Sequence, residues 1–103
     1  MGPIVVSLDE LPAGLTELAL RLRVNGVLRQ DSSTRDMIFD VSELIAFLSG
    51  IVTLRVGDVI STGTPGGVAA GLKCSYLKIG DLVEAEINGI GVLVNRMIEE
   101  TLD

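Results

Sequence analysis

The chain has 103 residues, enough for one domain or part of one, and its hydrophobic share of 48% plus 12 glycines leaves an apolar and small fraction that points to surface facing a partner. A net charge of −6, from 8 Lys and Arg against 14 Asp and Glu, and only three aromatics argue against nucleic acid as the main ligand. With no histidine, imidazole zinc sites and Ser-His-Asp triads are unavailable within the chain, so chemistry here must use carboxylates, hydroxyls, lysines or backbone.

Cys74 is the sole cysteine, which excludes an internal disulfide and fits a reducing, cytoplasmic setting. No apolar run reaches the roughly 18 residues of a membrane span, and the N-terminus lacks a basic region and a signal-like core, so a soluble, untargeted protein is expected.

Gly2–Val6 is a short apolar segment whose Pro3 suits a strand start or an edge, and Ser7–Gly14 reads as a loop with at most one helical turn. From Leu18 to Val24 the even-numbered Leu18, Leu20, Leu22 and Val24 share one face against Ala19, Arg21 and Arg23, the period of a half-buried strand. Asn25-Gly26 is the preferred pair for a type I′ turn, with Val27–Gln30 returning as the second arm. Arg21 and Arg23 could form an anion site, but a solvated outer face is the commoner use of such residues.

Asp31–Asp36 is polar and turn-rich, followed by apolar Met37-Ile38-Phe39. Asp40 with Glu43 matches a capping box, and Val41, Leu44, Ile45 and Leu48 follow at helical spacing, which predicts a helix over 41–49 stopped by Gly50 at C′ and packed by one face on the sheet.

Gly57-Asp58 reads as a tight turn feeding the apolar run Val59-Ile60, and Ser61–Gly66 then interrupts the strand. That loop lays bare peptide N–H groups and can cradle an anion. Gly63, Gly66 and Gly67 admit a ligand to the backbone, Pro65 restricts the loop, and Thr64 adds one aimed hydroxyl. An irregular turn between strands is the alternative reading. A Walker-type loop does not fit, because Val68-Ala69-Ala70 follows where Lys and Ser or Thr are required.

Leu-Arg-Val-Gly-Asp-Val-Ile at 54–60 is echoed by Leu-Lys-Ile-Gly-Asp-Leu-Val at 77–83, one turn chemistry used twice, with loop between them over Ala69–Ser75. Val83, Ala85 and Ile87 alternate with Leu82, Glu84 and Glu86, and Asn88-Gly89 marks a second hairpin before Ile90–Arg96. Glu84 and Glu86 could together hold a divalent cation, although adjacent acids on a wet strand face are the commoner case. The acidic tail, Ile98–Asp103, is expected to fray.

Three stretches, Leu22–Phe39, Leu54–Val68 and Tyr76–Arg96, together resemble the C-terminal part of the fumarylacetoacetate hydrolase family. That group includes acylpyruvases, oxaloacetate decarboxylases, and isomerases and decarboxylases of homoprotocatechuate breakdown. The resemblance implies a mainly β, α+β fold: a mixed β-roll present in part, with β-hairpins and one short helix, residues 1–103 forming one partial domain. It implies an Mg²⁺- or Mn²⁺-dependent enzyme acting on 2-oxo acids, in which the metal polarises the substrate's carboxylate and 2-oxo groups. Separately, strands that lack their neighbours present open edges and apolar faces, for which a symmetric homodimer is the simplest expectation. The family threonine that contacts a substrate oxygen corresponds to Thr64, with Gly63 and Pro65 shaping the loop.

The family's metal-binding Glu-x-Glu pair, further Asp, catalytic Lys and lid His-x-x-Glu lie upstream of the matched region. No catalytic or metal-binding residue is therefore assigned to this chain, and no metal is expected to bind it tightly. Glu84-Ala85-Glu86 has the Glu-x-Glu spacing but lies in a segment resembling a downstream strand, so the metal role is not carried to it. The implied function is the C-terminal portion of a 2-oxo acid enzyme. The alternative is a non-catalytic β-roll module that self-associates or completes a partner.

Overall fold

A computed structural model describes residues 2–11, 14–69 and 76–100. Its order is a 3₁₀ turn at Leu8–Glu10, β1 (Ala19–Val24), β2 (Val27–Ser33), a second 3₁₀ turn at Thr34–Asp36, α1 (Val41–Ser49), β3 (Leu82–Ile87) and β4 (Gly91–Arg96). The strands form one sheet in the order β2-β1-β3-β4, antiparallel at every pairing. The described residues are thus mainly β with one α-helix.

The first hairpin turns at Asn25 and Gly26, whose φ values of 50° and 77° are those a type I′ turn requires. β2 runs three residues further than its apolar content suggests, because Asp31, Ser32 and Ser33 supply backbone partners to Arg21, Leu20 and Ala19. Polar side chains are tolerated there because β2 is an edge strand. The register slips between Leu22↔Gln30 and Arg23↔Leu28, leaving Arg29 as the extra residue of a β-bulge. The second hairpin differs from a two-residue turn. Ile87 pairs with Gly91, so Asn88, Gly89 and Ile90 form a three-residue loop closed by Ile90 N–H donating to the Ile87 carbonyl at 3.0 Å.

Pairing of Leu20, Leu22 and Val24 with Ile87, Ala85 and Val83 puts one apolar stripe on a single face. Arg21 and Arg23 lie on the other face and are engaged there, Arg21 with Asp31 at 3.1 Å and Arg23 with Glu86 at 3.0 Å. The outer-face reading of these arginines holds.

The helix is bounded as its capping box demands: Glu43 N–H donates to Asp40 Oδ1, and Asp40 N–H to Glu43 Oε2, both at 2.8 Å. Two expectations about it fail. Gly50 has φ −74° and remains right-handed, so the chain leaves the helix through a continuing turn and not a left-handed cap. No residue of α1 is buried; Val41, Leu44 and Leu48 are half-buried, while Ile45 and Phe47 face out. Nor do Gly2–Val6 and Val59-Ile60 form strands, since no described strand pairs with them; Val5 and Val59 are 86% and 73% exposed.

Among the described residues only Leu11, Leu18 and Val24 are buried hydrophobics. The accessible surface is 8255 Å², against about 5,600 Å² for a self-contained chain of this mass, and the radius of gyration is 15.8 Å, against about 13 Å. The chain exposes more surface than a self-contained domain of its mass, and exposed Val5, Ile38, Val56 and Val59 are part of it.

Candidate functional site

The segment from Ser61 to Ala69 crosses over the apolar face of the sheet and has a cleft on either side. The larger, about 720 Å³, is walled by Leu22, Val24 and Val83 of the sheet, by Thr64, Gly67 and Val68 of the crossing segment, and by Tyr76, Leu77 and Lys78. The smaller, about 480 Å³, lies between Leu20, Leu44 and Met37–Phe39 on one side and Thr62–Pro65 on the other. Thr64 belongs to both.

Two contacts fasten this segment to β2. Gln30 Nε2 donates to Thr64 Oγ1 and to the Pro65 carbonyl, each at 2.9 Å. Gly67 has φ +106°, and a Cβ there would run into the Arg29 carbonyl oxygen, so only glycine lets the two backbones lie this close. Among the described residues, no protein acceptor takes the backbone N–H of Thr62, Gly63, Thr64, Gly66 or Gly67. These donors, with the Thr64 hydroxyl, are what an anionic oxygen needs. Gly63 and Pro65 stand on the small-cleft side, and Thr64 at the divide.

The repeated Gly-Asp turns share one geometry, and only the second reaches the site. In each, the aspartate caps the backbone three residues earlier: Asp58 Oδ2 accepts from Arg55 N–H and Asp81 Oδ2 from Lys78 N–H, both at 2.8 Å. Gly57 and Gly80 carry matching φ values of 96° and 93°. The second turn brings Lys78 and Asp81 to the large cleft, where Asn25 Nδ2 also donates to Asp81 Oδ1 at 2.8 Å. The Lys78 N–H, then the Asn25 amide, and then the charges of Lys78 and Arg29 hold the Asp81 carboxyl below the usual aspartate range. With Arg29 and Lys78 against Asp81, the lining of the large cleft carries net positive charge on a chain of net charge −6.

Glu84 and Glu86 share the face opposite the clefts, and Glu86 is committed to Arg23. Among the described residues no group of three Asp, Glu, Cys or His could hold a metal ion, so the donor set for Mg²⁺ or Mn²⁺ is not found there. Cys74 and the loop over 70–75 lie outside the described residues.

Sequence reading singled out Thr64, Gly63 and Pro65, each of which lines a cleft, and passed over Gln30, Arg29 and Lys78, which line the larger one. The only signal for Gln30 was that Val27–Gln30 does not alternate as a two-faced strand should.

The family model for the fumarylacetoacetate (FAA) hydrolase C-terminal region matches residues 1–98. The chain belongs to this family. It is 48% identical over 101 residues to an uncharacterised protein of Methanocaldococcus jannaschii, an alignment covering 97% of this chain and 38% of that protein. The fumarylacetoacetate hydrolase of psychrophilic Exiguobacterium antarcticum superposes with a TM-score of 0.89 at 42% identity, over 96% of this chain and 35% of that one. The maleylpyruvate hydrolase of Sphingobium sp. SYK-6, in complex with manganese(II) and pyruvate, gives 0.86 at 32%, over 97% and 35%. The chain thus spans between 35% and 38% of the length of these relatives.

Proposed function

We propose that the chain is the substrate-side wall of a cytoplasmic, divalent-metal-dependent enzyme acting on 2-oxo acids by carbon–carbon hydrolysis, decarboxylation or isomerisation. The observation that carries this reading is the Thr64 loop: a hydroxyl and uncommitted peptide N–H groups beside a cleft lined by Arg29 and Lys78. Family membership and the manganese and pyruvate held by the Sphingobium relative support it. A carboxylate entering the large cleft meets two cations, and the Thr64 hydroxyl donates to a carboxylate or 2-oxo oxygen at the cleft's divide. Gly63 and Pro65 set the path of the loop there. The Mg²⁺ or Mn²⁺ ligands lie beyond the described residues, and the catalytic acid or base with them.

Residues 1–103 are, on this reading, the C-terminal part of a longer catalytic domain. The surface excess of roughly 2,600 Å² over a self-contained chain supports it, since one partner of an obligate interface buries about 1,000–2,500 Å². The same excess favours a second reading, a module that covers its apolar face by self-association, most simply as a two-fold dimer. One experiment addresses both. The 103-residue chain and a version extended upstream are assayed with oxaloacetate or acetylpyruvate and Mg²⁺, and the isolated chain is sedimented at micromolar concentration. Turnover confined to the extended version supports the first reading. Metal-dependent turnover by the chain alone contradicts the placement of the metal ligands, and a cooperatively folded monomer contradicts the argument from open surface.

A further inference from the structure

Thr64 has one O–H proton and two lone pairs, so it can offer a ligand either a donor or an acceptor. Gln30 removes that choice. Its amide faces both Thr64 Oγ1 and the Pro65 carbonyl at 2.9 Å, and a backbone carbonyl can only accept. The group pointing at the loop is therefore NH₂, with one proton for each partner, and the Thr64 oxygen is the acceptor in its bond with Gln30. The Thr64 proton is left to point elsewhere.

We infer that Gln30 is a positioning residue that fixes Thr64 as a hydrogen-bond donor, tuned to an anionic or carbonyl oxygen. This deepens the proposed function and rests on its reading of Thr64. The fold holds Gln30 for this task. Its register opposite Leu22 turns it toward the crossing segment, and the bulge at Arg29 breaks the pairing beside it. The contact of Gly67 with the Arg29 carbonyl keeps the loop from withdrawing. Loss of Gln30 frees the Thr64 hydroxyl to rotate, and also removes the bond to the Pro65 carbonyl that holds the loop's path.

The test is a double-mutant cycle on the native protein, with pyruvate as probe and binding read by calorimetry beside the melting temperature of each variant. Gln30→Met keeps length and removes the donor; it is expected to weaken pyruvate about 2- to 12-fold, the range for a neutral hydrogen bond. In a Thr64→Val background the same change is expected to have a much smaller effect, limited to the loss of its bond to the Pro65 carbonyl. Unaltered binding in Gln30→Met with weakened binding in Thr64→Val overturns the inference and leaves the proposed function standing. Additive losses also overturn it, since Gln30 would then act independently of Thr64. Unaltered binding in Thr64→Val, or no pyruvate binding by the unsubstituted protein, overturns both. A measurement that needs no variant runs alongside: the Gln30 side-chain amide protons should exchange with solvent well below the rate of free glutamine, with and without pyruvate. Exchange at the free rate overturns the inference.

Discussion

Asp81 joins the local turn to a distant hairpin: it accepts from Lys78 N–H and from the Asn25 amide, while Asn25 Oδ1 accepts Leu82 N–H at 2.9 Å. Because these bonds favour the carboxylate, the folded-state pKa lies below the unfolded one. The sign follows from linkage: the contribution is fully present above the unfolded aspartate value of about 3.9 and is lost as pH falls through the lower folded value. A carboxyl-detected NMR titration should place the Asp81 midpoint below the ordinary range, and Asn25→Ala should move it upward. A midpoint at or above the ordinary value in the unsubstituted chain would contradict these contacts. The Gly-Asp turns were legible in the sequence because each is complete within four residues. Gln30 was not, because its partners are 34 and 35 residues away and only the folded crossing segment brings them to it.

At the scale of elements, α1 is held by its ends more than by its face. No residue of it is buried, so the reciprocal bonds of Asp40 and Glu43 carry an unusual share of its stability. Asp40→Ala should destabilise the helix by about 0.5–2 kcal/mol, seen as lost helical circular dichroism and faster amide exchange over residues 41–49. An unchanged exchange profile would mean that contacts outside the described residues hold it. The capping box fixed this helix's start in the sequence reading, since a cap is local chemistry. Its packing was misread because amphipathic spacing at Val41, Leu44 and Leu48 says which face turns inward and not what meets it. Val59-Ile60 illustrates the same limit, an apolar run that needs a partner strand before it becomes one.

For the whole molecule, the sheet is complete enough to aim a loop and too open to close a core. Among the described residues three buried hydrophobics stand against exposed Phe47, Val56, Val59 and Ile79, and the chain covers 35% of the Exiguobacterium relative. These facts fit the proposed reading of the chain as one wall of a larger site, with Thr64 as the proposed oxygen contact. The composition already suggested a partnered surface, and the resemblance in three separated stretches located the loop. The clefts, the bulge and the positive lining needed the fold. The central claim is tested most directly by kcat/KM for a 2-oxo acid in the complete enzyme carrying Thr64→Val, which keeps shape and removes the hydroxyl. A lost hydrogen bond to a charged group, about 1.5–3 kcal/mol, predicts a fall of roughly 10- to 150-fold with Mg²⁺ affinity and melting temperature nearly unchanged. A kcat/KM within about twofold of the parent, with any deficit confined to melting temperature, would contradict the claim and leave the loop as a turn.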